Sequence, residues 1–240
     1  MAGKKRLKFR NLRRDLYEFA LDNYKPLSVF IFLHFAFFIL LCGGLGGIST
    51  LWFLPWGLGY YLLNFVFFRW YFKRTPYLLT TKFFDTLLPA AKVLCMVMLG
   101  ITLLAYLPYL PLLFSGVSET LKRMITVFIG DFMDDSNIYN GIICLVFFLM
   151  APFIFYRPLL AWVASVIGRS GFLRNAFKHT AGYYGLFLGI LAIFFVPLII
   201  AWNIDADFAL HHRLLYAVAA PMMVLFNLFL AKTYESLFLD

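Results

Sequence analysis

The densest group of side chains that could do chemistry lies near the carboxyl end of the sequence. Asp205, Asp207, His211 and His212 place two carboxylates and two imidazoles within eight residues. Zinc and other divalent metals use such donors in proteins. The spacing matches no metal-binding motif, however, and adjacent histidines on a helix point about 100° apart. The sequence therefore favours a solvated turn over a metal site, and it predicts no cofactor.

A second candidate is His34, the only charged or imidazole side chain in the forty-three residues from Pro26 to Phe68. A titratable group within a bilayer is a functional suspect, because burying its charged form is expensive. We favour a structural interpretation, in which a neutral imidazole is hydrogen-bonded to Asn64 in the next helix. Asn227 is interpreted in the same way, as a polar clamp between helices worth about 0.5–1 kcal/mol.

Recognisable catalytic motifs are few in this sequence. It contains neither a phosphate-binding loop of the Gly-x-x-x-x-Gly-Lys type nor a His-Glu-x-x-His pair. Gly47-Ile48-Ser49 resembles the nucleophile segment of an intramembrane serine protease, but no later span carries a histidine to activate Ser49. A non-catalytic role is therefore favoured, and whether the chain is an enzyme stays open.

The elements that position these residues are predicted to be membrane helices. The chain is 63% hydrophobic and only 14% charged, with a mean hydropathy of +0.84, whereas about a quarter of an ordinary globular domain is charged. We predict an all-helical transmembrane bundle of about six spans with short interfacial amphipathic helices, in which a single membrane domain, 27–240, follows a basic cytoplasmic arm, 1–26. The predicted spans are Leu27–Leu45, Ile48–Phe68, Leu87–Phe114, Ile138–Tyr156, Tyr183–Trp202 and Leu214–Leu230. Residues 159–167 are too few to span and either extend the fourth helix or lie in the interface.

The distribution of basic residues predicts the orientation. Segments 1–26, 69–92, 157–182 and the carboxyl-terminal tail hold 18 of the 21 lysines and arginines, and the two opposite loops hold three. Cytoplasmic loops of membrane proteins carry such an excess. We therefore expect both termini to be cytoplasmic, in a bacterial inner membrane or an equivalent one.

The amino-terminal arm is predicted to bind lipid and not nucleic acid, because anionic headgroups attract basic clusters beside a span. Residues 7–20 place Leu12, Leu16 and Phe19 on one face, as in a helix lying in the headgroup layer. Segments 117–129 and 171–181 could be similar helices or plain loops. The predicted headgroup contacts are Lys4, Lys5, Arg6, Lys8, Arg10, Arg13 and Arg14.

Residues near the predicted span ends are expected to anchor the chain in the interface. Trp162 is one of five tryptophans near such ends, where an indole places its N–H among headgroups. Arg157, followed by Pro158, closes the fourth span and is predicted to act as an interfacial anchor.

Two stretches about 95 residues apart share a layout. Lys82-Phe83-Phe84-Asp85-Thr86 and Phe177-Lys178-His179-Thr180 each lead into an apolar span that contains proline late in its course. This predicts a duplicated unit, a feature that recurs in transporters. The alternative is that any two membrane helices share basic residues at their start and prolines within.

One stretch is similar to a segment that recurs in a bacterial six-span family, which includes the membrane domain of some glycerophosphodiester phosphodiesterases. The family segment is a cytoplasmic helix of the form Ser-x-x-x-Arg-x-Ala-x-Lys-x-Thr-x-Gly before a Leu- and Gly-rich span. The matching residues here are Ser170-Gly171-Phe172-Leu173-Arg174-Asn175-Ala176-Phe177-Lys178-His179-Thr180-Ala181-Gly182, then Leu186-Phe187-Leu188-Gly189. Nothing in this sequence resembles the phosphodiesterase catalytic domain, so the resemblance implies an architecture and no activity.

These observations favour a non-catalytic membrane protein, an accessory, scaffold or assembly subunit acting through helix and lipid contacts. Its expected partners are membrane lipids and either another membrane protein or further copies of itself. A small-molecule or lipid transporter is the main alternative, although no predicted span holds a carboxylate in its interior. A membrane-embedded lipid-modifying enzyme ranks third.

Overall fold

The structure is a computed structural model that describes residues 8–43, 53–75, 81–106, 149–169, 173–207 and 213–239. These residues form helices and no strand. The α-helices are α1 (Phe9–Asp22), α2 (Tyr24–Gly43), α3 (Phe53–Lys73), α4 (Phe83–Tyr106), α5 (Arg157–Val166), α6 (Leu173–His179), α7 (Tyr184–Asp207) and α8 (Arg213–Phe238). A π-helical turn, Pro152–Tyr156, runs directly into α5.

Within these described ranges, four helical segments are long and apolar enough to cross a membrane: Phe83–Gly100, Leu149–Val166, Tyr184–Ile204 and Leu214–Phe238. Tyr24–Ile39 is a shorter apolar helix. The all-helical, membrane-type fold predicted from the sequence is therefore present. Helices α2, α3, α4, α7 and α8 overlap the first, second, third, fifth and sixth predicted spans, whereas most of the predicted span Ile138–Tyr156 and all of segment 117–129 lie outside the described residues.

Helix α5 lies at the centre of the described bundle. It contacts α3, α4, α6 and α8, and all but one of its ten residues are buried. Residues 159–166 thus extend the preceding helix, and they are buried against other helices of the protein. The π-turn has a local cause: Pro158 lacks an N–H and its ring clashes with the carbonyl four residues earlier, so the helix widens by one residue.

The end of α5 is closed by Gly168, whose φ of +80° favours glycine. Its N–H donates to the carbonyl of Ser165 at 3.1 Å, and the N–H of Arg169 donates to that of Ala164 at 2.9 Å. These two bonds form a Schellman motif, which pairs helix-terminal carbonyls that would otherwise be unsatisfied.

Helix α1 is amphipathic as predicted, but the partner of its apolar face is protein. Leu12 and Leu16 are buried in the same core as the central helices. Phe9 stacks on Phe229 of α8 at 6.2 Å, and Phe19 contacts Tyr71 of α3 at 4.7 Å between ring centroids. The apolar face of α1 therefore packs on α8 and α3 and not on lipid, whereas the location of the helix in the headgroup layer stays a prediction.

The outward faces of several long helices are apolar. On α4, Phe84, Leu88, Met96 and Leu99 are each more than 60% exposed. On α7, Val196, Ile199 and Ile200 are also exposed. Water is a poor solvent for such faces, and large exposed apolar surfaces mark contact with lipid or another protein.

Candidate functional site

The predicted intramembrane polar residues lie together between α2, α3 and α8. Asn227 donates from Nδ2 to Asn64 Oδ1 at 2.6 Å, and Asn64 donates from its own Nδ2 to the Tyr60 carbonyl at 2.8 Å. His34 is fully buried, with Nδ1 2.8 Å from the Phe30 carbonyl oxygen. Three helices thus converge on one polar cluster.

The His34 ring is only half satisfied. Asn64 is close enough to interact with the imidazole, yet Nε2 has no hydrogen-bond partner among the described residues. The 2.8 Å contact with the Phe30 carbonyl requires a hydrogen on Nδ1. In the neutral ring Nε2 is then an acceptor, and this atom can receive a hydrogen bond or a proton.

The four candidate metal ligands fall only partly within the described residues. Asp205 and Asp207 belong to the last turn of α7, so the predicted turn does not include them. His211 and His212 lie outside the described residues. Elsewhere in the described ranges, no group of three or more His, Cys, Asp or Glu side chains is placed to hold a metal ion.

The basic residues of the arm lie on the outer side of α1. Arg10, Arg13 and Arg14 are exposed, as is Lys8 just before the helix, whereas Lys4, Lys5 and Arg6 lie outside the described residues. Arg14 approaches Asp15 and Glu18 at 3.5 and 3.9 Å. Such exposed ion pairs are worth about 0–1 kcal/mol, so they do not prevent contact with anionic headgroups.

A buried carboxylate ties α3 to α8, and sequence reasoning missed it. Tyr71 donates its hydroxyl to Glu235 Oε2 at 2.8 Å, and Lys232 Nζ lies 3.2 Å from the same oxygen. Burial, reinforced by the Glu235 charge, raises the pKa of Tyr71, so its hydroxyl remains a donor. The sequence gives little signal for this pair, because Glu235 lies just past the predicted end of the sixth span, near Lys232.

A second missed tie joins the π-turn to α8. The hydroxyl oxygens of Tyr156 and Thr233 are 2.8 Å apart, and both side chains are fully buried. Buried hydroxyls need such partners, because an unpaired one costs about 1–3 kcal/mol.

Arg69 is the most fully bonded buried charge. Its Nη1 donates to Thr86 Oγ1 at 2.7 Å and to the Val166 carbonyl at 3.4 Å, and its Nη2 donates to the Thr81 carbonyl at 2.5 Å. The residue is 6% exposed. Arg69 therefore fastens α3 to the start of α4 and to the end of α5.

Arg157 is buried as well, and its predicted role as an interfacial anchor is wrong in that respect. Only 7% of its surface is exposed. Its Nη2 donates to the Thr180 carbonyl at 3.3 Å, while Nε has no partner in the described chain. The guanidinium carbon lies 4.4 Å from the ring centroid of Phe153 and 5.7 Å from that of Phe177. The sequence signal was an arginine with apolar residues on both sides.

Trp162 also departs from its prediction. It is 5% exposed and packs edge-on against Phe68 with ring centroids 5.1 Å apart. Its Nε1 has no hydrogen-bond partner within the described ranges. The indole belongs to the core around α5 and not to an interfacial belt.

Comparison with known proteins leaves the chain without an assigned family. No family model matches it, and neither the curated proteins nor the solved structures give a match. The resemblance of residues 170–189 to the six-span family consequently stays a prediction.

Proposed function

We propose that this chain is a non-catalytic subunit of a membrane assembly, acting through helix and lipid contacts. In this proposal it forms a six-span bundle with both termini in the cytoplasm of a bacterium, and its apolar flanks face lipid or the helices of a partner. The observation that carries the proposal is the exposed apolar outward face of α4.

The buried polar groups support a structural interpretation of the interior. Asn227 with Asn64 joins α8 to α3, as does Glu235 with Tyr71. Polar side chains of this kind hold membrane helices in register. These four polar side chains, which could otherwise take part in chemistry, are thus engaged in contacts between helices.

The outward face of α4 supports the partner interaction. Only 17% of the segment Phe83–Gly100 is buried, and its exposed residues include Met96 and Met98, at 64% and 52%. Methionine is flexible and polarizable, and it is common at surfaces that adapt to a partner. This helix therefore presents a long surface suited to packing against lipid chains or other helices.

Site-specific photocrosslinking in living cells tests the proposal. A photoreactive amino acid at Met98 is expected to give one recurrent protein adduct that also survives purification in mild detergent. Val97 is the matched control, because it neighbours Met98 but is only 4% exposed. A photoreactive group there should react within the chain.

Lipid adducts alone from Met98, with a chain that purifies as a monodisperse monomer, would contradict the subunit proposal. A protein adduct of twice the chain's mass would identify the partner as a second copy.

The proposed orientation predicts the behaviour of reporter fusions. A reporter that is active only in the cytoplasm should be active when fused after residue 240, because 18 of 21 basic residues lie in the segments assigned to that side. A reporter that requires export should be inactive at the same position. The reverse pattern would overturn the orientation.

Transport is the second candidate, and the unpartnered Nε2 of His34 favours it. A buried acceptor beside two asparagines can bind a proton or a polar solute in transit. The crosslinking experiment separates the two functions, since a chain that works alone leaves transport as the better proposal.

A further inference from the structure

Two buried arginines in this protein have the same surroundings. Arg69 follows Phe65-Val66-Phe67-Phe68, and Arg157 follows Phe153-Ile154-Phe155-Tyr156. In each case the guanidinium lies over two phenylalanine rings. One ring belongs to the residue four positions before the arginine. The other belongs to a phenylalanine that comes three positions before a threonine. The paired rings are Phe65 and Phe83 for Arg69, and Phe153 and Phe177 for Arg157.

The threonines complete the correspondence. Thr86 accepts a hydrogen bond from Arg69 through its hydroxyl, and Thr180 accepts one from Arg157 through its carbonyl. Phe83 and Thr86 belong to one of the two stretches that suggested a duplication, and Phe177 and Thr180 belong to the other. The arginine and its two rings are therefore a shared unit that occurs twice in the fold.

The first copy is closed by the protein itself. Arg69 is bonded to Thr86 Oγ1 and to the carbonyls of Thr81 and Val166. The ring beneath it, Phe65, is fully buried. With Thr81 Oγ1 at 3.5 Å as a fourth acceptor, this copy shows how several protein oxygens can satisfy a guanidinium, which has five N–H donors.

Among the described residues, the second copy offers Arg157 one oxygen, the Thr180 carbonyl, at 3.3 Å. The Thr180 hydroxyl, one residue past the end of α6, donates back to the Ala176 carbonyl at 2.6 Å. Nε of Arg157 has no hydrogen-bond partner in the described ranges. No described carboxylate lies within ion-pair distance of it. A buried cation in this condition is costly, and a bound anion would offset that cost.

We propose that Arg157 is the centre of a site for a phosphate-type oxyanion. A guanidinium presents Nε and Nη as a planar fork that matches two oxygens of a phosphate. Phe153 and Phe177 are 38% and 37% exposed, whereas Phe65 beside Arg69 is fully buried, so the surroundings of Arg157 are the more open of the two. This inference rests on the lipid contacts of the proposed function and specifies their chemistry, and it requires no protein partner.

The backbone beside Arg157 supports a binding role. The π-turn Pro152–Tyr156 ends directly before it, with the Arg157 N–H bonded to the Pro152 carbonyl. Single π-turns within α-helices are frequent at functional sites, because the extra residue redirects the side chains that follow. Arg69, in the closed copy, lies in an unbroken α-helix.

Binding by the full-length protein in uncharged detergent tests the inference. The probes are dioctanoyl phosphatidylglycerol, dioctanoylglycerol with the same chains but no phosphate, and inorganic phosphate; native mass spectrometry measures occupancy and affinity. Phosphatidylglycerol should bind the wild-type protein. Arg157→Gln should lower the affinity for phosphatidylglycerol at least about tenfold, because a bidentate charged contact is lost. Arg157→Lys keeps the positive charge but not the planar fork of donors, so its affinity for phosphatidylglycerol should be several-fold lower than that of the wild type. If inorganic phosphate competes with phosphatidylglycerol, the ligand is the oxyanion itself. If inorganic phosphate does not compete, the site binds a lipid headgroup.

Arg174→Gln is the matched control, because this exposed residue of α6 gives the same change in charge. It should bind phosphatidylglycerol as the wild type does. Equal affinity in Arg157→Gln, equal binding of dioctanoylglycerol, or no binding to the wild type would each overturn the inference. Binding is read independently of any crosslinked partner, so loss of the partner leaves this result intact.

Discussion

Replacing Arg69 by methionine is expected to lower the free energy of unfolding by about 3 kcal/mol, because the carbonyls of Thr81 and Val166 lose a charged donor. Val166 ends α5, and its carbonyl receives no other hydrogen bond from the described chain. Methionine fills a similar volume, so the effect reports the loss of the guanidinium, with its hydrogen bonds and its contacts with the rings of Phe65 and Phe83. The measurement is thermal or denaturant unfolding of the purified chain in detergent.

Two further variants make the Arg69 result interpretable. Lys73→Met, on the same helix but exposed, should change stability by less than about 0.5 kcal/mol. Arg69→Lys should fall between the two, since an ammonium reaches fewer of these oxygens. If Arg69→Met were as stable as Lys73→Met, the junction of α3, α4 and α5 would not depend on this side chain.

Gly168→Ala is expected to be comparably destabilising, again by about 3 kcal/mol, through backbone strain and steric overlap. The residue has a φ of +80°, and a methyl group on it would overlap Cγ2 of Thr81. Thr81 cannot move freely, because its carbonyl accepts a hydrogen bond from Arg69. The substitution should therefore disturb the same junction, as an unfolding measurement will detect.

Gly182→Ala separates the two contributions. Its φ of +90° is equally unfavourable for alanine, but no atom lies within 4 Å of the added methyl. It should cost about 1–2 kcal/mol, the backbone contribution alone. Thr81→Ser in the Gly168→Ala background removes Cγ2 and should recover part of the loss. Equal effects of the two glycine substitutions would show that the overlap with Thr81 is unimportant.

Hydropathy predicted most of the long helices because burial in lipid and burial in protein require the same apolar residues. It could not predict the position of α5. By hydropathy, residues 159–167 are too short to span if Arg157 and Arg169 lie in the headgroups. Arg157 is instead buried among aromatic rings and faces Thr180, and a hydropathy profile does not record such a contact.

The polar cluster was predicted better than the charged ones. His34, Asn64 and Asn227 stand out because each is polar in an apolar run. Arg69 and Glu235 do not stand out, since each lies near a predicted span end where charges are ordinary. Their burial depends on Thr86 and Tyr71, and no spacing in the sequence connects residues so far apart.

The docking of α1 on α8 and α3 has a mechanical consequence. The exposed arginines Arg10, Arg13 and Arg14 sit on a helix whose other side is held by Leu12 and Leu16. Their positive charges therefore have a fixed position relative to the bundle and are not carried on a flexible segment. Attraction of these arginines toward a negatively charged surface would therefore act as a torque on the whole described bundle, and it would influence the tilt of the helices as well as their depth.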